Sequence, residues 1–273
     1  DALPSREEND VAYRSTVDGV MHACGHDGHT ANLFGAGLVL NALRDRWKGR
    51  VRLLFQPAEE TVSGAESVIA GGGLDGVDRI VMLHGWPDLP AGDVGVRYGP
   101  AMASSDTFRI EVKGKGGHAA YPHKTVDPLH VGAQIVVALQ SLVAREVSPT
   151  APAVVSVTMF HAGTARNIIA ENAVIQGTVR TLDHALRDSM PERIERVVGG
   201  ICAALRAGYD FAWTAGTPPV VNDADTTRLI AEVARETIGA DRVVELAEPT
   251  MGAEDFAFYL DRVPGAMFRL GTG

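Results

Sequence analysis

Between Thr30 and Gly49 the apolar residues Leu33, Leu40, Leu43 and Trp47 recur at helical spacing, and Gly49 follows a basic last turn as a stop. The pattern predicts a helix. Residues 50–57, "RVRLLFQP", form a short apolar run closed by Pro57, which predicts a strand buried on both faces. A helix is expected over "GAESVIAGGGL" from Gly64, and a second buried strand over "DRIVMLHG" from Asp78. Strand, helix and strand in this rhythm predict a parallel sheet with helices on its faces.

The pattern changes after the Gly/Pro-rich stretch "WPDLPAGDVGVRYGPAM". From Ser104 the expected order is strand (106–114), helix (127–147), strand (153–163), strand (172–182), helix (191–208) and strand (209–216). That β-α-β-β-α-β order predicts a ferredoxin-like unit inserted into the first domain. Helix-then-strand rhythm returns at 225–239 and 265–271. The fold class is therefore α/β: a mostly parallel-sheet domain, 1–103 and 217–273, interrupted by an α+β insert at 104–216. No internal repeat and no low-complexity segment is present.

Composition narrows the function classes. An apolar fraction of 45% over 273 residues supports a packed core. A net charge of -9 disfavours nucleic acid or an anionic membrane as partner, since phosphate neutralisation needs basic residues. No run of eighteen apolar residues exists. Cys24 and Cys202 are too few for a disulfide framework, which points to a reducing cytoplasm, and Cys202 inside an apolar helix reads as packing.

Candidate chemistry concentrates at one rim. Open parallel sheets place ligand sites beyond the carboxyl ends of their strands. There the chain delivers Glu59 and Glu60 after one strand, His84 at the end of another, and "MHACGHDGHT" ahead of a helix. Gly25 permits a turn presenting Cys24 and His26 together, and a thiolate with imidazoles and carboxylates suits zinc or another first-row divalent ion. His22, Asp27 and His29 read as supporting or helix-capping residues. Adjacent glutamates after a strand point opposite ways, so one can ligate while the other acts as general base. Taken singly, each histidine reads as a surface residue, Cys24 as a small hydrophobe, and Glu254 and Asp255 as a pair at the start of a helix.

With the motifs "DALP", "MHACGHDGHT", "FQPAEE", "LHGWP", "GKGGHAAYPH", "GTARNIIAENA", "GTVRTL" and "MGAEDFAFY" in order, the chain resembles the dinuclear metallo-amidohydrolases. That family includes hippurate hydrolases, aminoacylases, indole-acetyl-amino-acid hydrolases and related carboxypeptidases. The resemblance implies two divalent ions (Zn, Mn, Ni or Co), with Cys24, His26, Glu60 and His84 as ligands and Glu59 as general base. It implies that Asp1 orients a ligand or tunes the base, that His118 stabilises the oxyanion, and that Asn167 and Arg180 meet the substrate carboxylate. It further implies a homodimer through the insert and an N-acyl amino acid as substrate. The family's last ligand, a C-terminal histidine, and a strand before "DALP" have no counterpart here, so the chain is expected to be a fragment lacking both ends. Three alternatives stand beside this reading: a carboxypeptidase or dipeptidase of the same family, a hydrolase using Cys24 as nucleophile, and a non-catalytic metal-binding or dimerisation module.

Overall fold

A computed structural model describes residues 1–273, which divide into two compact units. The first comprises Asp1–Ala101, Val220–Pro249 and Glu254–Gly273, and the second Met102–Pro219 with Thr250–Ala253.

In the first unit, strand Ile80–Trp86 pairs in parallel with Gly265–Gly271, which pairs antiparallel with Val94–Val96, itself parallel to Val243–Glu245. Two of the three pairings are parallel, as the strand and helix rhythm predicts. The helix Ala224–Ile238 starts at Asp223, whose side chain accepts from Thr226 N, and buries Ala231 against Val94 and Val96. The helix expected after the histidine cluster runs from His26 to Ala42, so His26 and His29 belong to it.

One expected element does not form. Residues 50–57 run without ladder pairing, and Val51 and Phe55 are 53% and 51% exposed, where burial on both faces was expected. An apolar run records what a segment can bury, while a strand also needs a neighbour's N–H and C=O groups in register. Arg52 instead donates Nη1 to the carbonyls of Gly72 and Gly73, anchoring this stretch by its side chain. The helix 26–42 likewise buries none of its residues fully.

The second unit follows the expected β-α-β-β-α-β order: Asp106–Lys113, Pro128–Ser141, Ala153–Ala162, Asn172–Thr181, His184–Leu205 and Gly208–Thr214. Its antiparallel sheet runs in the order 153–162, 172–181, 106–113, 208–214. Alternation along 106–113 and 172–181 puts Phe108, Ile110, Val112, Ile175 and Val179 on one face, packed against Val131, Ile135 and Leu139 of one helix and Ile194, Val198 and Cys202 of the other. Cys202 is 1% exposed within this core. The second helix begins seven residues before Pro191, because Asp183 caps it by accepting from Leu186 N. Proline at the first helical position was the expected start; the aspartate cap governs instead.

Candidate metal centre

Gly25, at φ 81°, makes the turn that joins Cys24 to the helix 26–42. Left-handed backbone favours glycine, and here it sets Cys24 just ahead of the helix with His26 as its first residue. His26 Nδ1 lies 2.8 Å from Asp1 Oδ1. A carboxylate accepts, so the proton sits on Nδ1, and the Nε2 lone pair faces inward, 3.8 Å from Glu59 Oε2. His84 repeats the device from strand 80–86: Nδ1 donates to the Gly85 carbonyl at 2.7 Å, leaving Nε2 3.5 Å from Cys24 Sγ. Ligating atoms of Cys24, His26 and His84 lie within 4.8 Å of one another, as do those of Asp1, His26 and Glu59. Imidazoles held by a second hydrogen bond in one tautomer are what a metal site requires.

Glu59 and Glu60 arrive on a tight 3-10 turn, Glu59–Thr61, rather than at the end of a regular strand. Ala58 (φ 58°) and Val62 (φ 55°) bracket it in left-handed backbone, at a cost of about 1–2 kcal/mol each. Glu60 N donates to Asp1 Oδ2 at 2.8 Å, so Asp1 bridges the His26 and Glu60 segments. The two glutamates diverge: Glu59 faces His26 and Asp255, and Glu60 faces Cys24. Glu60 Oε1 is buried with no hydrogen-bond partner.

Negative charge is crowded here. Burial, then Glu60, Glu59 and Glu254, push the Cys24 thiol up to about 11. Burial, then Asp255 and Glu60, raise Glu59; burial, then Glu59 and Asp255, hold Glu254 well above the carboxylate range. A nucleophilic cysteine needs an electropositive setting, the reverse of this one. A divalent cation fits these residues on two independent counts. The donor set of thiol, imidazole Nε2 atoms and carboxylates matches a first-row ion, and the orphaned Glu60 oxygen is a buried acceptor with nothing to accept from.

The profile of peptidase family M20/M25/M40 matches residues 1–273. The chain belongs to this family. Among M20 relatives, it is 45% identical over 272 residues to an N-acetylcysteine deacetylase of Bacillus subtilis, covering 100% of this chain and 71% of that protein. It is 49% identical over 223 residues to an N-acyl-L-amino acid amidohydrolase of Geobacillus stearothermophilus, covering 81% of this chain and 60% of that one. The crystal structure of a dinuclear metal binding M20 peptidase from Bacillus subtilis superposes with a TM-score of 0.88 at 41% identity, over 100% of this chain and 70% of that one. The chain spans 60–71% of the length of these relatives.

The other candidates of the M20 resemblance lie in the second unit. His118 pairs in register with Ile168, its Nδ1 accepts from Ala120 N at 3.1 Å, and Ala119 N donates to the Asn167 carbonyl at 3.0 Å. His118 and Asn167 are thus exposed neighbours on one small antiparallel ladder. Arg180 is partly buried, on the face of strand 172–181 opposite the core. In the first unit His22 and Asp27 are exposed.

Two features of the first unit escape the sequence reading. His29 Nε2 accepts from Gly85 N at 2.8 Å, with its ring centroid 4.6 Å from that of His84. Burial, then His84 and His26, pull His29 down to about 4, so it stays neutral and able to accept. His29→Leu is expected to leave the Gly85 N–H unpaired and to lower stability by about 1–3 kcal/mol, read as a shift in urea midpoint. The second is Asp255. It was expected as an acidic residue at the start of its own helix, yet Gln56 Nε2 donates to both its oxygens at 2.8 and 2.9 Å, and Ala65 N donates at 3.1 Å. Burial outweighs dipole here, because a carboxylate 1% exposed must take its donors from whatever packs against it. Nothing in the spacing of residues 199 apart announces this pair.

Proposed function

We propose that the chain hydrolyses the amide bond of N-acyl amino acids, releasing a carboxylate and a free amino acid. The observation that carries this reading is the convergence of Cys24, His26 and His84 on one point, with Glu59 and Glu60 beside it. The names of the deacetylase and amidohydrolase relatives support the substrate class. Cys24, His26, Glu60 and His84 would hold the metal, Asp1 would fix His26 and the Glu60 backbone, and a dinuclear centre follows the M20 structural neighbour. Zinc or another soft first-row ion suits a thiolate ligand best. When bound, such ions polarise the scissile carbonyl and lower the pKa of water.

The chain's own residues carry the proton. Glu59, close to the ligating cluster yet turned toward His26, removes a proton from the attacking water and delivers it to the leaving nitrogen. Burial and neighbouring carboxylates raise its basicity, which favours taking the proton from water. His118 as oxyanion donor, and Asn167 and Arg180 as partners of the substrate carboxylate, are the roles the resemblance implies; their chemistry suits them, an imidazole N–H for developing negative charge and an amide with a guanidinium for a carboxylate. Dimerisation through the second unit and a cytoplasmic location belong to the same reading, and two free cysteines agree with a reducing compartment. No helix is long and apolar enough to cross a membrane.

A panel of N-acetyl and N-benzoyl amino acids against dipeptides, assayed with zinc, manganese, nickel or cobalt added, tests the proposal. Release of free amino acid from the N-acyl substrates, abolished by chelation, is expected. Cleavage of dipeptides alone would move the reading to a peptidase, and bound metal with no hydrolysis of any substrate would move it to a binding module.

A further inference from the structure

The loop that carries Glu59 and Glu60 has to be held against its own backbone, since Ala58 and Val62 both sit in left-handed conformation without being glycine. Its two ends meet at a single side chain. Gln56, before the loop, donates Nε2 to both oxygens of Asp255, and Ala65, after it, donates its backbone N–H to Asp255 Oδ2. Gln56 is itself fixed in orientation: Tyr259 OH donates to Gln56 Oε1 at 2.8 Å, so the amide NH2 can only face the carboxylate. Tyr259 is 2% exposed and Asp255 1%, so water cannot replace either bond. The closure is tight, because a Cβ on Gly64 would stand 1.8 Å from the Pro57 carbonyl oxygen.

We propose that Asp255, oriented through Gln56 and Tyr259, is a positioning residue that closes the 57–64 loop and so sets where Glu59 and Glu60 point. This rests on the reading of Glu59 as base and Glu60 as metal ligand. A buried carboxylate that merely satisfied local donors could draw them from any neighbours; this one draws them from both ends of the segment bearing the two glutamates. Misplacement of a reacting group by about 1 Å can cost a hundredfold in rate, so a clamp of this kind acts on kcat.

The donor and acceptor pattern permits a swap. In Asp255→Asn alone, one oxygen must serve both Gln56 and Ala65, and one donor is turned against an NH2 group. In Gln56→Glu alone, two carboxylates face each other. With both changes, the carboxylate now at position 56 accepts from the new amide NH2 at position 255 and from Tyr259 OH. The amide oxygen at position 255 accepts from Ala65 N, and the net charge is unchanged.

The experiment compares the two single variants, the double variant and Tyr259→Phe, with and without zinc. It reads hydrogen exchange across 57–65, and kcat and KM on an N-acetyl amino acid. Each single variant is expected to exchange at least tenfold faster in 57–65, with strand 106–113 unchanged, and to lose at least tenfold in kcat with KM within threefold. The double variant is expected to recover to within threefold on both readouts. A double variant no better than the single ones, or single variants that exchange like the wild type, would overturn the proposal. Should the single variants fail to fold, Tyr259→Phe decides: threefold or greater acceleration in 57–65 supports the clamp, and wild-type exchange overturns it. A wild-type chain without amidohydrolase activity would sink the functional reading, while the exchange pattern would still decide the clamp.

Discussion

Glu59→Gln is expected to lower kcat by about 10²- to 10⁴-fold while bound metal stays near the wild-type amount. Glutamine keeps the size and the approach to His26 but cannot take a proton from water. The Glu59 carboxylate is 20% exposed and lies 3.8 Å from His26 Nε2, near the ligating cluster. Glu60→Gln should behave differently. It alters a carboxylate that lies beside Cys24 and keeps one buried oxygen without a protein partner, so its first effect is lost metal, with activity following. Elemental analysis of both variants beside steady-state kinetics separates the roles. Equal metal loss in the two would contradict the division between base and ligand.

The second large effect is expected from removing the metal. Chelation should abolish hydrolysis and lower the thermal midpoint, because Glu59 and Asp255 would then crowd beside Glu254, and Glu60 beside Cys24, with no cation to offset them. An ion present at a thousand times its dissociation constant stabilises the fold by about 4 kcal/mol, and the apo protein forfeits that. Iodoacetamide gives the complementary result. The Cys24 thiol stands at about 11 in this acidic setting, so alkylation of the metal-free protein should be slow at neutral pH, and slower still with the ion bound. An enzyme using Cys24 as nucleophile would show the reverse, surviving chelator and dying quickly with alkylator.

Much of this site is legible in the chain because its parts are local. The Gly25 turn, the histidine near the end of strand 80–86 and the paired glutamates each announce themselves within a few residues, although the rule about strand ends holds only for His84. The second unit is legible for a related reason: alternation along 106–113 and 172–181 is strict, and each of its helices follows an aspartate cap. What escapes is what depends on distant partners. Residues 50–57 have the composition of a buried strand, but ladder formation depends on an edge that composition does not encode. The acceptor role of His29 and the bond of Gln56 to Asp255 join residues 56 and 199 apart, and neither motif contains the other half. The divergence of Glu59 and Glu60 comes from a 3-10 turn between two left-handed residues, where strand alternation was the expected cause.

Cys24, together with His26 and His84, forms the core of the ligand set proposed for the metal. X-ray absorption at the zinc edge of the zinc-loaded protein tests it directly. A sulfur shell at about 2.3 Å beside nitrogen and oxygen at about 2.0–2.2 Å is expected, with the sulfur lost in Cys24→Ser. A wild-type spectrum containing nitrogen and oxygen alone would contradict it.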